Sequence, residues 1–396
     1  MINRTAETKL RSLAGSFPAV AVIGPRQSGK TTLVKKLFPQ KPYVLLENPD
    51  TRQSAVNDPR GFLSQFPEGA VLDEAQRVPE LFSYLQGILD DKNKPGLFIL
   101  TGSKNFLLME SITQSLAGRI AILSLLPLSF SELEAAGISF PSFEDYLIRG
   151  FYPRVYDQKI EPKDLYANYV RTYIERDVRL LKNIHDLTAF HSFLKLCAHR
   201  SGQLLNLSSL ATDCGITHNT AKVWLSLLET SYIVFFLRPH HKNFNKRLVK
   251  MPKIYFYDTG LAAYLAGIED KQHLLHHSLR GALFESFVIS DLLKMRFNKG
   301  EGSNLYFWRD KNGHEIDCLV ERPGGLAIIE IKSGKTVAED FSNDLRYYQK
   351  LAGVSSDGSY IIYGGDQKQT RSFGRVVAWN DFSVIFDESL EIHDRG

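Results

Sequence analysis

The feature that most constrains this chain is a run of eight residues between an apolar segment and a helix-forming one. The run is Gly24-Pro25-Arg26-Gln27-Ser28-Gly29-Lys30-Thr31, which matches the pattern GxxxxGK[ST] in full. Glycines let the backbone curl so that its N–H groups face phosphate oxygens, and the N-terminus of the following helix adds a favourable dipole. We predict that this run and Thr32 bind ATP, with Lys30 on the β- and γ-phosphates and the Thr31 hydroxyl on Mg²⁺.

A second apolar segment, Ala70–Leu72, is followed directly by the carboxylates of Asp73 and Glu74. We expect Asp73 to hold Mg²⁺ through water and Glu74 to orient or deprotonate the attacking water. The apolar run Tyr43–Leu46 lies between the two motifs. It indicates the branch of ATPases in which one strand is inserted between the two motif strands.

Two further positions are candidates for the hydrolytic step. The segment Leu97–Ser103 is a predicted strand that ends in small polar residues, so Thr101 or Ser103 is placed to touch the γ-phosphate or the water. A simple turn at the strand end is the alternative. Arg119 stands just before the next strand, where an arginine can serve a neighbouring subunit's nucleotide as a finger. If it does, the chain forms a homo-oligomer, of which a ring is one form; otherwise Arg119 is a surface arginine.

The first 130 residues alternate short apolar runs with helical stretches, which is typical of a parallel sheet buried on both faces. The predicted strands are Ala19–Ile23, Tyr43–Leu46, Ala70–Leu72, Leu97–Leu100 and Ile120–Leu123. Helices between them supply the crossover connections. The pattern predicts a five-stranded α/β domain.

Composition excludes several other classes of protein. The 396 residues are 43% hydrophobic and 23% charged, enough to build more than one core. No apolar run approaches the ~18 residues that span a bilayer, and the first residues lack a signal-peptide pattern, so we expect a cytoplasmic protein with no membrane association. Cys197, Cys214 and Cys318 are far apart and odd in number, which predicts free, buried thiols.

Five motifs together resemble those of the prokaryotic AAA-type ATPases that carry a C-terminal domain of unknown function. They are, in order, GPRQSGKTTL, VLDEAQ, ILTGSKNF, SLAGRI and LPLSFSEL. The resemblance covers essentially the whole chain. It implies ATP and Mg²⁺ binding and a defined domain layout.

The predicted layout has four parts. Residues 1–130 form the ATPase domain and residues 131–190 a helical lid or connector. Residues 191–257 form a winged helix-turn-helix and residues 258–396 a nuclease-like α/β domain. Within the connector, residues 168–184 have the spacing of one long amphipathic helix.

The middle of the chain carries the excess of positive charge: residues 161–260 hold 14 Lys and Arg against 8 Asp and Glu. A predicted helix, a tight turn at Gly215 and a second helix capped by Thr217 have helix-turn-helix spacing. The side chains near the start of the second helix, and the basic segment 240–253, are expected to contact DNA. These candidates are His218, Asn219, Lys222, Trp224, Lys242, Lys246, Arg247 and Lys250. Binding of a protein, or packing between domains, is the alternative.

The C-terminal part carries a spaced set of charged residues. Asp317 precedes Glu330-x-Lys332, on two apolar strands that can form a hairpin, and Glu285 lies on an upstream apolar helix. The set resembles the PD-(D/E)XK nuclease core. The resemblance implies Mg²⁺ on Asp317 and Glu330 and the carbonyl of Ile331, with Lys332 positioning or activating the water.

The residues Tyr347, Tyr348 and Gln349 follow on a predicted helix, where related nucleases place Gln and Tyr near the site. The alternative is that the fold persists as a binding module without cleavage. The sequence as a whole predicts a Mg²⁺-dependent ATPase whose turnover drives or gates action on DNA. The alternatives are an ATP-dependent switch that binds a protein partner, and an ATP-gated nuclease in a defence or toxin-like system.

Overall fold

Two β-sheets organise the chain in the computed structural model, which describes residues 2–103, 112, 114–174, 186–240, 249–323 and 325–386. The first sheet has five strands, in the order β2-β3-β4-β1-β5, and all of its pairs are parallel. The strands are β1 (Ala19–Ile23), β2 (Tyr43–Leu45), β3 (Val71–Asp73), β4 (Phe98–Gly102) and β5 (Ile120–Ser124). The prediction of a five-stranded parallel α/β domain is confirmed.

Helices cover both faces of this sheet. They are α1 (Ala6–Ser16), α2 (Lys30–Leu37), α3 (Pro49–Asn57), α4 (Pro59–Ser64) and α5 (Leu81–Lys92). Successive side chains of β1 point to opposite faces. Val20 therefore packs in one hydrophobic core with Leu10 and Leu33, while Ala21 joins the larger core with Leu85. Burial on both faces explains why the strands are continuous apolar runs.

A group of short helices follows the first sheet. They are α6 (Phe130–Ala135), α7 (Phe143–Arg149), α8 (Pro153–Asp157) and α9 (Pro162–Tyr169). A capping box between Ser129 and Glu132 starts α6. The expected long helix over 168–184 differs from the structure at its start, because Val170–Ile174 is a π-helical turn. The rest of that prediction, residues 175–185, lies outside the described residues.

Three helices and an antiparallel strand pair come next: α10 (Leu187–His199), α11 (Leu207–Asp213), α12 (His218–Thr230), β6 (Val234–Pro239) and β7 (Lys253–Phe256). Thr217 caps α12 as expected, its hydroxyl accepting the Thr220 N–H at 3.1 Å. The placement of Trp224 at a DNA-facing surface is wrong. Its ring is buried, edge-on against Phe190 and Phe193 at centroid distances of 5.2 and 5.4 Å.

The second sheet has eight strands, in the order β12-β13-β11-β10-β9-β8-β6-β7. The strands of this sheet that follow β7 are β8 (Leu305–Arg309), β9 (Glu315–Arg322), β10 (Gly325–Lys332), β11 (Ser359–Tyr363), β12 (Gln369–Arg371) and β13 (Gly374–Ala378). The helices of this part of the chain are α13 (Thr259–Leu265), α14 (Lys271–His276), α15 (Arg280–Asn298) and α16 (Asn343–Ala352). The expected hairpin is present as the antiparallel pair β9–β10. β6 pairs in parallel with β8, so the helical part and the C-terminal part share one sheet.

Helix α15 connects the two halves of the molecule. Its 19 residues span about 28 Å. Asp291 accepts the backbone N–H of Phe130 at 2.8 Å, and Asn298 donates to Glu132 at 3.5 Å, both at the start of α6. The Lys294 ammonium lies 3.9 Å from the centroid of the Phe151 ring. The ATPase part and the C-terminal part are therefore packed together through α15.

The structure bears on two expectations from the composition, which concern membrane-spanning helices and the cysteines. Within the described residues, no helix combines the length and the apolar character that crossing a bilayer requires. The three cysteines are free; Cys197 and Cys318 are buried, whereas Cys214 is only partly buried.

Candidate nucleotide site and C-terminal carboxylate cluster

The predicted phosphate-binding loop lies between β1 and α2 and has a conformation that only glycine permits at two points. Gly24 has φ +150°, and a Cβ there would meet the carbonyl oxygen of Leu125 at 2.1 Å. Gly29, the N-cap of α2, has φ +93°. The Ser28 hydroxyl is buried and has no hydrogen-bond partner within the described residues, which leaves a polar group available to a ligand.

Lys30 is folded over its own loop. Its ammonium donates to the carbonyl oxygens of Gly24 at 3.0 Å and Pro25 at 2.6 Å. Burial lowers the pKa of Lys30 to about 8, against the opposing effect of the Glu74 and Asp73 carboxylates. The loop carbonyls therefore stabilise the Lys30 ammonium. Phosphate oxygens would replace them as its hydrogen-bond acceptors when a nucleotide binds.

Three hydroxyl groups converge on Asp73 at the end of β3. Thr31 donates to Asp73 Oδ2 at 2.8 Å, Tyr43 donates to the same oxygen, and Thr101 donates to Oδ1. Burial, followed by the hydrogen bond to Asp73, raises the pKa of Tyr43. The structure thus brings Thr31 and Asp73 together, and this oxygen-rich pair suits Mg²⁺.

Glu74 is held beside this pair in the left-handed region, at φ +57°. The Ser103 hydroxyl lies 3.1 Å from each carboxylate oxygen, and the Gln76 amide donates to Oε2 at 2.6 Å. Of the two candidates at the end of β4, Ser103 therefore contacts Glu74 and Thr101 contacts Asp73. Gln76, which the sequence analysis did not assign, lies within the VLDEAQ motif, and that is the signal that marks it.

Arg4 is a second residue that the sequence analysis missed. Its guanidinium donates to the loop carbonyl of Ser28 at 2.6 Å and to the Leu126 carbonyl at 2.7 Å. Its Nε forms a buried ion pair with Glu132 at 3.2 Å. No sequence motif precedes Arg4, so nothing local marks it; its role depends on contacts 24 to 128 residues away in sequence.

Arg119 lies at the amino ends of the strands of the first sheet, whereas the phosphate loop lies at their carboxyl ends. β1 and β5 are parallel with Ala19 opposite Ile120, so Arg119 precedes the amino end of β5 while the loop follows the carboxyl end of β1. Its guanidinium makes two hydrogen bonds to Asp90, at 2.5 and 2.9 Å. This placement separates Arg119 from the nucleotide site of its own chain.

The predicted DNA contacts divide into three groups. His218, Asn219 and Lys222 are exposed on the first turns of α12, and Lys250 is exposed before β7. Residues 241–248, which carry the candidates Lys242, Lys246 and Arg247, lie outside the described residues. Lys253, the basic residue that ends the segment 240–253, is buried instead.

The C-terminal candidates meet where β9, β10, α15 and β7 converge. The pairing of Ile329 with Cys318 places Asp317 beside Glu330. The Lys332 ammonium contacts Asp317 at 3.3 Å and Glu330 at 2.6 Å, and Asp317 also accepts the backbone N–H of Ile331 at 2.8 Å. Glu330 Oε1 is buried and has no hydrogen-bond partner within the described residues.

The pKa values in this group diverge. Burial opposes ionisation of Asp317, yet the Lys332 and Lys253 ammonium groups hold its pKa below the ordinary value. Burial and the neighbouring Asp317 carboxylate raise the pKa of Glu330 well above its ordinary value. The two carboxyl groups are thus an unequal pair, with the pKa of Asp317 lowered and the pKa of Glu330 raised.

Glu285 is close by, with a partner that the sequence analysis did not foresee. Lys253, only 3% exposed, donates to Glu285 at 3.0 Å and pairs with Glu315. Tyr255 donates to the same oxygen of Glu285 at 2.5 Å. Burial raises the pKa of Glu285. We call Glu285, Glu315, Asp317 and Glu330, with Lys253 and Lys332, the C-terminal carboxylate cluster.

The candidates on α16 have other partners. Tyr347 stacks on His314 with centroids 3.8 Å apart, and Tyr348 packs edge-on against Trp308. The Gln349 amide donates to the Ser359 hydroxyl and to the Phe373 carbonyl, both at 2.8 Å. These contacts tie α16 to the sheet.

The oxygen donors of the two sites differ in how they fit a metal. Across the parts of the chain that the structure describes, no group of three or more His, Cys, Asp or Glu side chains is arranged to hold a metal ion. At the nucleotide site, Thr31 and Asp73 need only complete the coordination of Mg²⁺ that ATP brings with it. At the C-terminal carboxylate cluster, lysines hold the carboxylates instead.

Comparison with known proteins divides the chain into three matched regions. The AAA domain matches residues 16–134, which makes this part an AAA-type P-loop ATPase domain. A domain of unknown function (DUF8612) matches residues 140–272, and another (DUF4143) matches residues 280–382.

Solved structures to which this chain is similar include the Walker-type ATPase PABY2304 of Pyrococcus abyssi. It is 15% identical, at a TM-score of 0.45, over 66% of this chain and 94% of that chain. The RuvB Holliday junction branch migration motor of Thermotoga maritima is 19% identical, at a TM-score of 0.32, over 62% of this chain and 94% of that one.

Two curated relatives extend over nearly the whole chain. They are the uncharacterized proteins Rv2008c of Mycobacterium tuberculosis and Mb2031c of Mycobacterium bovis. Each is 30% identical over 367 residues, which is 92% of this chain and 80% of the relative. With this identity over this length, the chain belongs to the same family as these two mycobacterial proteins.

Proposed function

We propose that this protein is a cytoplasmic, Mg²⁺-dependent ATPase that acts on DNA, with ATP turnover driving or gating that action. The observation that carries the enzymatic part is the meeting of Thr31, Asp73, Glu74 and Ser103 beside the phosphate-binding loop. The loop binds the phosphates through its backbone N–H groups. Lys30 exchanges its two loop carbonyls for phosphate oxygens.

Hydrolysis uses the side chains around β3 and β4. Mg²⁺ bound with ATP supplies charge neutralisation on the phosphates. Thr31 and Asp73 hold it, Glu74 takes the proton of the attacking water, and Ser103 and Gln76 keep Glu74 in place. Arg119 of a neighbouring copy completes the site in a homo-oligomer, because its own chain places it at the amino ends of the strands, away from the phosphate loop.

The DNA part of the proposal is supported by α12. Its first turns expose His218, Asn219 and Lys222, while Trp224 and Leu228 fix the opposite face in the core. A helix anchored in this way presents its N-terminal polar side chains to a groove or to phosphates. The antiparallel pair β6–β7 follows in the position of a wing, with Lys250 exposed beside it.

A second candidate function is favoured by the C-terminal carboxylate cluster. Lysines hold carboxylates that a nuclease would use for metal. This arrangement supports an ATP-dependent switch in which the nuclease-like part is an inactive module and the exposed face of α12 binds a protein. An ATP-gated nuclease, the third candidate, needs Mg²⁺ on Asp317 and Glu330.

The experiment that tests the proposal is ATP hydrolysis by the purified full chain with Mg²⁺, with and without duplex, single-stranded and branched DNA, at several salt concentrations. Stimulation by one DNA form, with binding that weakens steeply as salt rises, supports action on DNA. Turnover indifferent to every DNA form favours the protein-binding switch. DNA cuts that Asp317→Ala abolishes, while ATP hydrolysis persists, favour the nuclease.

A matched pair of variants refines the DNA part. Lys222→Ala should weaken DNA binding and reduce the slope of log affinity against log salt by about one. Lys299→Ala removes the same charge from an exposed position at the end of α15 and serves as the control. Equal binding by the two variants would remove α12 from the DNA interface.

A further inference from the structure

The C-terminal carboxylate cluster contains a buried cation of its own. The Lys253 side chain is 3% exposed, and its ammonium contacts carboxylates from two different elements, Glu285 of α15 and Glu315 of β9. An isolated buried ammonium is costly, so this one depends on its carboxylate partners. Asp317 adds a third negative charge close enough to act on Lys253.

Strand alternation explains why two donors reach the same acid. Lys253 and Tyr255 are two residues apart on β7, so their side chains leave the same face of the strand. Both donate to Glu285 Oε1, at 3.0 and 2.5 Å. An oxygen that already accepts two hydrogen bonds has its lone pairs occupied. Oε1 of Glu285, the candidate acid on α15, is therefore occupied by the two donors of β7.

Charge balance points the same way. The four carboxylates are Glu285, Glu315, Asp317 and Glu330, and three cationic side chains contact them, namely Lys253, Lys332 and Arg309. Arg309 holds the second oxygen of Glu315 at 2.8 Å. A divalent ion brought into this group would approach the buried ammonium of Lys253 and the partly exposed ammonium of Lys332, and both would repel it.

We infer that Lys253, held by Glu285 and Glu315, is the resident buried cation of the C-terminal carboxylate cluster, and that the cluster accepts a divalent metal only when this charge is removed. While Lys253 is present, the carboxylate pattern seen in the sequence does not form a metal-binding site. The inference concerns this cluster alone and does not depend on ATP hydrolysis or on DNA binding.

The test is Mn²⁺ binding to the full chain without nucleotide, measured by titration calorimetry and by the electron paramagnetic resonance signal of free Mn²⁺. Four proteins are compared: wild type, Asp317→Asn, Lys253→Met, and the double variant Lys253→Met/Asp317→Asn. Asp73→Asn in each background removes any contribution of the nucleotide site. Wild type and Asp317→Asn should bind the same number of Mn²⁺ ions.

Lys253→Met should gain one Mn²⁺ per chain, bound at least tenfold more tightly than any Mn²⁺ at this cluster in wild type, and the double variant should lose it. Lys253→Gln, which keeps a hydrogen-bond donor without the charge, gives the same gain if the Met variant does not fold. A wild-type Mn²⁺ site that Asp317→Asn removes overturns the inference. So does a folded Lys253→Met or Lys253→Gln protein with no added site.

Discussion

Arg4 and Glu132 form an ion pair with 3.2 Å between Nε and Oε1 and side chains only 6% and 1% exposed. The same guanidinium holds the carbonyl of Ser28 in the phosphate loop, and Glu132 accepts a hydrogen bond from Asn298 at the end of α15. One buried pair thus joins the nucleotide loop, α6 and the helix that reaches the C-terminal carboxylate cluster.

Replacing Arg4 by methionine should destabilise the fold strongly, because Glu132 would keep a buried charge without its partner. We expect a loss of about 3–5 kcal/mol in the free energy of unfolding, measured by urea denaturation. Adding Glu132→Met should recover a large part of that loss. Lys36→Met, which breaks the more exposed pair with Glu7, should cost at most about 1 kcal/mol. Equal losses in the Arg4 and Lys36 variants would show that burial does not matter here.

ATP binding should take up a proton at alkaline pH. Burial lowers the pKa of Lys30 to about 8, whereas bound phosphates favour the charged ammonium and raise that pKa. Below pH 8 Lys30 is already charged and uptake is small. Above it, affinity should fall by up to about tenfold per pH unit, with uptake approaching one proton. Calorimetry in buffers of different ionisation enthalpy, at pH 6.5 and 9, measures this.

The control for this effect is Lys35→Met, on the same helix but with an exposed side chain. It should keep the proton uptake of the wild type. Lys30→Met should abolish ATP binding itself. Uptake that is the same at pH 6.5 and at pH 9 would contradict the role assigned to Lys30.

Glu74→Gln should bind ATP and fail to hydrolyse it. A general base contributes about 100- to 10,000-fold to the rate, so we expect a decrease in that range with little change in nucleotide affinity. Ser103→Ala removes only a hydrogen bond that orients Glu74 and should slow hydrolysis by about fivefold. Single-turnover assays and fluorescent-nucleotide binding separate the two. A Ser103 variant as slow as the Glu74 variant would indicate that Ser103 itself contacts the reacting groups.

A mixing experiment tests Arg119. If this residue serves a neighbouring copy, Arg119→Ala lowers turnover by about 1,000-fold or more, because an arginine finger stabilises the charge of the transition state. Lys30→Ala is also inactive, yet it supplies an intact Arg119. Mixing the two inactive proteins should restore part of the activity, whereas Asp90→Ala, which only releases Arg119, should retain turnover. No recovery on mixing would leave Arg119 as a surface arginine paired with Asp90.

The nucleotide-binding fold was the part most readily predicted from the sequence. Continuous apolar runs, a glycine-dependent loop and strand-ending carboxylates are local signals, and the structure joins Thr31 to Asp73 as that pattern requires. The contact of Arg4 with the phosphate loop could not be predicted, because its partners are distant in sequence. Gln76 was inside a quoted motif, but its partner Glu74 becomes apparent only when the φ of +57° at Glu74 is known.

The sequence predicts the wrong environment for residue types that occur both at the surface and in the interior. Trp224 follows polar residues at the start of a helix, but helical periodicity turns it toward Phe190 and Phe193. Lys253 ends a basic segment, and only strand pairing shows that it lies among carboxylates. Charge counts along a sequence do not distinguish a solvated lysine from a buried one, since the difference depends on partners brought together by the fold.

The parallel pairing of β6 with β8 has a consequence for modularity. The regions matched as two separate domains of unknown function, 140–272 and 280–382, contribute strands to a single sheet. Cutting the chain between them would expose unpaired strand edges on both sides. The two regions therefore share one sheet, and we expect that neither folds stably when it is expressed without the other.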